Sequence, residues 1–291
     1  MFKKENQFGI YIILPALLLL GFLIIYPLIN AIKLSFNSQM IYEATGRFIG
    51  LKNYINTLKD NSFFHSLSIS FIWTTATVVI QIILGIIASV LLNESFKGRT
   101  LARALIILPF FMPTISVTHM MRWLFNSTYG LVNGMLLSMN LIDKPINWLG
   151  SSKLALITLI FIGVWRFFPF VVINVLARLQ TIPPQLYEAA RVDGANLFHE
   201  LWYITLPAIK GVVMAVFLLR WIFMFKKFDI VYLLTGGGPG ASTEVLPILA
   251  YRYAFEGMQL GKGSTISILI FIITLIFILT YLKVTANKGE V

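Results

Sequence analysis

The chain has 291 residues, of which 58% are hydrophobic and only 12% charged, and its mean hydropathy is +0.83. A soluble domain carries about twice that charged fraction, so lipid is the main solvent of this protein. Its net charge of +11 is scattered between long apolar runs instead of gathered on one water-facing patch, which argues against a nucleic-acid partner, and the absence of cysteine leaves no disulfide framework, thiolate metal site or lipidated thiol.

A membrane-spanning helix needs about 20 mainly apolar residues. Six segments meet that requirement, roughly 9–32, 69–92, 103–124, 154–177, 207–234 and 264–283, and they predict a single all-α integral membrane domain over 1–291 with both termini on one side. Lys3 and Lys4 precede the first run, and no small-residue cleavage site follows it, so it reads as a retained span. Between the first two spans, Leu51, Tyr54, Ile55 and Leu58 fall at helical spacing, followed by Phe63, Phe64 and Leu67; this predicts a short interfacial helix. Pro109 and Pro113 in the third span and Pro169 in the fourth each remove a backbone donor and predict bends. Arg166 lies mid-way along the fourth span, and Arg220, Lys226, Lys227 and Asp229 lie in or near the fifth. Charges at such positions are costly unless they face a cavity or another charge. Trp73, Trp123, Trp148, Trp202 and Trp221 fall near predicted span ends, where interfacial anchors belong. Lys and Arg are denser in the termini, 94–103 and 178–210 than in the other loops, which orients the termini toward the cytoplasm of a multi-pass membrane protein.

The 178–206 loop is patterned throughout. Pro183 and Pro184 suit a helix opening, because the first amides have no internal partner to lose. Glu188 is expected near the positive end of that helix. Asp193 and Gly194 close it, Gly194 supplying a left-handed turn and room for another backbone to approach. Asn196 then caps a second helix with Leu197, Phe198, Leu201 and Trp202 on one face, and Pro207 marks the return to the membrane. The pattern predicts a helix–turn–helix able to fill a socket on a partner.

At these residues the chain resembles the permease subunits of bacterial ATP-binding-cassette importers, whose cytoplasmic signature is Glu-Ala-Ala, three residues, Gly, nine residues, then Ile-x-Leu-Pro. Glu188, Ala189, Ala190, Gly194, Ile204, Leu206 and Pro207 match every specified position at the right spacing. The resemblance extends along Asn93 to Pro109-Phe, Trp123 to Asn133, Trp165 to Pro169, Phe228 to Pro239, Thr243 and Tyr251 to Phe255. It narrows there to the carbohydrate-uptake branch that includes the larger maltose permease and the glycerol-phosphate permease. It implies a type I ABC importer permease fold with cytoplasmic coupling helices. It also implies a second, related permease, a dimer of ATPase subunits holding ATP and Mg, and an extracytoplasmic sugar-binding protein. The ATPase-coupling residues would be Glu188, Ala189, Ala190, Asp193, Gly194, Ile204, Leu206 and Pro207, acting in a bundle that alternates between outward and inward openings.

In relatives the two spans flanking this loop contribute to the sugar site, which makes Arg166, Phe223, Met224 and Lys227 the substrate-path candidates. Aromatic faces stack on sugar C–H groups, and Lys or Arg donates to hydroxyls or a carboxylate. Two cations on one path raise an acidic saccharide as the substrate. The plainer alternatives are a structural hydrogen-bonding role for Arg166 and headgroup snorkelling by Lys226 or Lys227 near Asp229. No metal site, no catalytic set and no cofactor of the chain's own are expected: His65, His119 and His199 lack ligand spacing, and Gly236-Gly-Gly-Pro239 lacks the Lys-Ser/Thr ending of a phosphate loop and reads as a turn at the outer mouth. A secondary transporter would need coupling-ion sites or inverted repeats, and a channel a filter-like loop; neither pattern is present in the sequence.

Overall fold

The computed structural model describes residues 13–286. The start of the first predicted span, with Lys3 and Lys4, lies outside them. The first described helix, α1, is Ile13–Ser35, and it widens to a π-turn at Gly21–Ile25. A two-stranded antiparallel ribbon follows, β1 (Asn37–Ser38) with β2 (Arg47–Phe48). The interfacial segment resolves into a short helix α2 (Lys52–Thr57), while Phe63, Phe64 and Leu67 already belong to the long helix α3 (Asn61–Asn93).

The third predicted span differs from a single kinked rod. Helix α4 (Arg99–Phe111) continues through Pro109, then the chain turns by 99° into α5 (Thr114–Leu124). Met112 takes an extended ψ of 139°, the conformation that a following proline imposes, so Pro113 makes the break and Pro109 does not. After α6 (Leu131–Ser138), α7 (Ala155–Leu179) runs unbroken past Pro169. The coupling segment contributes α8 (Pro184–Val192). The fifth span also departs from expectation: α9 is continuous over Leu197–Phe225, passes through Pro207 by way of a π-turn at Leu201–Thr205, and ends at Lys226 instead of reaching 234. Inside a span a proline is tolerated where a local π adjustment re-satisfies the freed backbone groups, and the π-turn just before Pro207 is such an adjustment, so Pro207 does not mark a helix boundary. Then come α10 (Asp229–Thr235), α11 (Leu246–Tyr251) and α12 (Leu260–Ala286). Among the described residues five helices are long and apolar enough to cross a membrane, and six spans result when the bent α4–α5 pair counts as one.

The chain divides into two compact units, one from the chain up to Phe64 with Leu249–Ile273, the other from His65–Ile248 with the chain beyond Thr274. In the first, Asn53 donates to the carbonyls of Ser35 and Asn37, and Asp60 accepts from Tyr253 at 2.8 Å and Lys262 at 3.0 Å.

The second unit is organised by α3 against α7. Gln81, Gly85 and Ser89 fall four residues apart and share one face of α3. Gln81 donates to the Gly163 carbonyl at 3.1 Å and Ser89 to the Val172 carbonyl at 3.2 Å. Between them a Cβ on Gly85 would lie 2.5 Å from the Cβ of Val171. Close backbone approach at a small residue, with polar groups beside it, is how helices associate without a hydrophobic driving force. Trp73 and Trp221, expected as interfacial anchors, are buried; Trp221 stacks on Phe225 and Phe277. Trp123 and Trp202 are exposed.

Candidate functional site

Two places combine the residues singled out in the sequence. The first is the α8–α9 pair. Pro183 and Pro184 open α8 as expected. Glu188, however, sits in the second turn, and the first turn holds no acidic residue, so the helix dipole has little hold on it. Gly194 adopts φ +84°, and Ala195 N–H reaches back to the Ala190 carbonyl at 2.9 Å, the pattern of a glycine-closed helix end. Asn196 accepts from the His199 N–H at 3.0 Å, capping α9. Across the turn Arg191 forks onto Glu200, Nε to Oε1 at 2.6 Å and Nη2 to Oε2 at 3.2 Å, and Tyr187 meets the Thr205 hydroxyl at 3.1 Å.

These bonds divide the signature in two. Ile204, Leu206 and Tyr187 pack on the cluster formed by Val171, Val175, Leu179, Ile182, Ile209 and Val216 and so anchor the element. Glu188, Ala189, Asp193 and Gly194 face outward, beside a concavity of about 370 Å³ lined in part by Ala190, Gly194, His199 and Tyr203. The expected apolar stripe is largely unpacked within the chain: Leu197 is 75%, Phe198 71% and Trp202 59% exposed, with Leu201 half-buried. Large exposed apolar side chains in a contiguous patch mark an interaction surface.

The second place is a cationic cluster around Phe167 on α7. The charges of Arg166, Arg220 and Lys227 lie 5.1, 4.8 and 5.1 Å from its ring centroid, the distance at which a ring face attracts cations. Arg220 is satisfied by Gln81 at 3.0 Å and by the Met224 sulfur at 3.2 Å. Arg166, 5% exposed, donates from Nη2 to the Thr114 hydroxyl at 3.1 Å, while its Nε and Nη1 have no hydrogen-bond partner. Lys227 pairs with Asp229 at 3.0 Å.

Of the four substrate-path candidates the structure thus unites Arg166, Met224 and Lys227. It leaves Phe223 on another face of α9, 55% exposed. Gln81 was not singled out, although a polar side chain within a span is itself the signal that would have found it; Arg220, noted as a charge in the fifth span, takes Gln81 as its partner. Among the described residues no group of three or more His, Asp or Glu side chains is placed to hold a metal.

The chain belongs to the family of binding-protein-dependent transport system inner membrane components, whose profile matches residues 81–287. It is 37% identical over 281 residues to the trehalose/maltose transport system permease protein MalF of Thermococcus litoralis, covering 97% of this chain and 94% of that one. It is 30% identical over 285 residues to the sulfoquinovosyl glycerol transport system permease protein SmoG of Agrobacterium fabrum, covering 98% and 92%. Its fold matches a chain of a bacterial alginate ABC transporter solved with an alginate pentasaccharide-bound periplasmic protein, with TM-score 0.86, 20% identity, and coverage of 98% of this chain and 96% of that one. The protein is therefore a multi-pass ABC importer permease subunit with the type I fold.

Proposed function

We propose that this chain forms half of the translocation pathway of an ATP-driven importer of sugars or oligosaccharides. Six crossings, with the bent α4–α5 pair counted as one, leave both ends on one side, and the Lys and Arg bias of the sequence supports the cytoplasm as that side, shared with the 178–206 loop. A second permease completes the pathway, an extracytoplasmic binding protein delivers the sugar, and a separate ATPase dimer supplies energy from ATP and Mg. ATP closes that dimer, the α8–α9 pair moves with it, and the bundle opens outward; hydrolysis returns it inward.

The observation that carries this reading is the Gly194 turn. It lies among the outward-facing positions of the signature, its φ is positive, and a Cβ there would meet none of the described residues within 4 Å. The space is kept for something outside the chain. Relatives that span nearly all of its length and are called permeases of trehalose/maltose and sulfoquinovosyl glycerol support a saccharide as the cargo, and the surplus of cations about Phe167 favours an acidic one.

In the reconstituted complex, Gly194→Asp and Glu188→Lys should each uncouple ATP turnover from uptake while the subunits still copurify. Full uptake in both variants would refute the coupling role.

A further inference from the structure

Asp229 is the lone carboxylate in a cluster that holds three cations, and it is placed where two helix breaks meet. Thr114 is the first residue of α5, directly after the 99° turn that follows α4. Asp229 is the first residue of α10, directly after the break that ends α9. Lys227, in the break after α9, pairs with Asp229, and Thr114, at the start of α5, accepts from Arg166 on α7, so both joints border the same cationic cluster.

We propose that Arg166 and Lys227 form a subsite for the anionic group of an acidic saccharide, a carboxylate or a sulfonate, and that Asp229 is the resident anion which this group displaces. The inference deepens the importer reading and rests on it. Arg166 is the first ground. A buried guanidinium with two unanswered nitrogen donors carries a desolvation cost that an acceptor would offset, and none of the described residues supplies one. Arg220 provides the contrast: its donors are occupied by Gln81 and Met224, so it belongs to the framework and not to the subsite. The second ground is the position of the ion pair. The Lys227 and Asp229 side chains are 25% and 41% exposed, so the carboxylate lies on the accessible side of the cluster, and an arriving anion competes for the place it holds.

Displacement has a mechanical consequence. When the ligand takes over Lys227 and Arg166, Asp229 loses its ion-pair partner at the break after α9 and Thr114 at the start of α5 shares its Arg166 donor with the ligand, so both joints respond to one binding event. Cargo binding and helix rearrangement become one event, since a ligand shifts a conformational equilibrium only through contacts that differ between the two states.

The test uses the whole complex in nanodiscs, with labelled trigalacturonate and its methyl ester as probes that differ in charge alone, read by equilibrium dialysis. Wild type should prefer the acid. Lys227→Gln and Arg166→Gln should weaken acid binding about tenfold or more while leaving the ester little changed, and Asp229→Asn should tighten acid binding several-fold. Lys227→Arg should restore most of the preference. Lys227 lies at the partly exposed edge, so its variants keep the test valid should Arg166→Gln fail to assemble. Equal binding of acid and ester, binding of neither, or weaker acid binding in Asp229→Asn would overturn the subsite. ATP turnover stimulated by the loaded binding protein, measured on the same preparation, separates the two readings: its persistence without acid preference sinks the subsite alone, and its absence sinks the importer.

Discussion

Gly85 is the position at which α3 can come close enough to α7 for Gln81 and Ser89 to reach backbone carbonyls of the facing helix. Adding one methyl there places a carbon 2.5 Å from both Cβ and Cγ1 of Val171, against a normal carbon–carbon separation of about 3.5–4 Å. Relief requires the helices to part by about 1 Å. Val171 is fully buried and has nowhere to turn, so overpacking should cost about 1–3 kcal/mol, and the same movement would stretch the Gln81 and Ser89 bonds, now 3.1 and 3.2 Å, toward the limit of useful geometry. Thermal unfolding of the detergent-purified chain, followed by the fluorescence of its six tryptophans, measures this. Gly85→Ala should lower the midpoint by several degrees, Gly85→Leu should prevent stable assembly, and Val171→Gly should recover part of the loss in the Gly85→Ala background. A Gly85→Ala midpoint equal to wild type would refute the packing argument.

Exchanging the charges of the loop fork, with Arg191→Glu and Glu200→Arg together, should restore uptake that either change alone impairs; failure of the double variant to exceed both singles in a transport assay would remove the fork from the coupling element. Gln81→Leu leaves the Arg220 guanidinium short of its buried oxygen partner and should destabilise the chain by about 1–3 kcal/mol, read by the same fluorescence melt; an unchanged midpoint would show that the bond contributes nothing. Burial alone would push the Asp60 carboxyl up, but hydrogen bonds from Lys262, Tyr253 and the Ser62 amide, with the Lys262 charge, hold it down at about 2 against an ordinary 3.8. A depressed carboxylate contributes stability that is complete above its unfolded pKa and lost as pH falls through the folded one. Asp60→Asn should therefore melt earlier than wild type at pH 7, with the gap closing between about pH 4 and pH 2; a gap that persists at pH 2 would contradict the assignment.

Span positions and the α8–α9 turn were legible because each rests on local chemistry. Apolar length marks a span wherever it occurs, and Pro184, Gly194 and Asn196 act through their own backbone or their nearest neighbours. The misplaced features depend on partners distant in sequence. Pro109, Pro113 and Pro169 look alike as letters, yet only Pro113 breaks its helix, while Pro109 and Pro169 lie inside continuous ones. Trp73 and Trp221 were assigned to the interface from their distance to span ends, but tight packing against Gly163 and Phe277 buries them. Phe223 and Met224 are adjacent in sequence and differ in role because a step of about 100° along a helix separates a core face from an exposed one. The cation cluster was half legible: a charge inside a span announces itself, but the convergence of Arg166, Arg220 and Lys227 on one phenyl ring needs three elements to be placed in space.

The central claim is that ATP-driven movement enters this permease at the Gly194 turn. Because the chain has no cysteine, Val192→Cys, at a side chain 88% exposed, gives a single attachment point for a short photo-crosslinker within the assembled importer. The account predicts a product joining this residue to the ATPase subunit, with a yield that changes when ATP is bound. A transport-competent complex in which Val192→Cys crosslinks to no ATPase, with or without nucleotide, would contradict it.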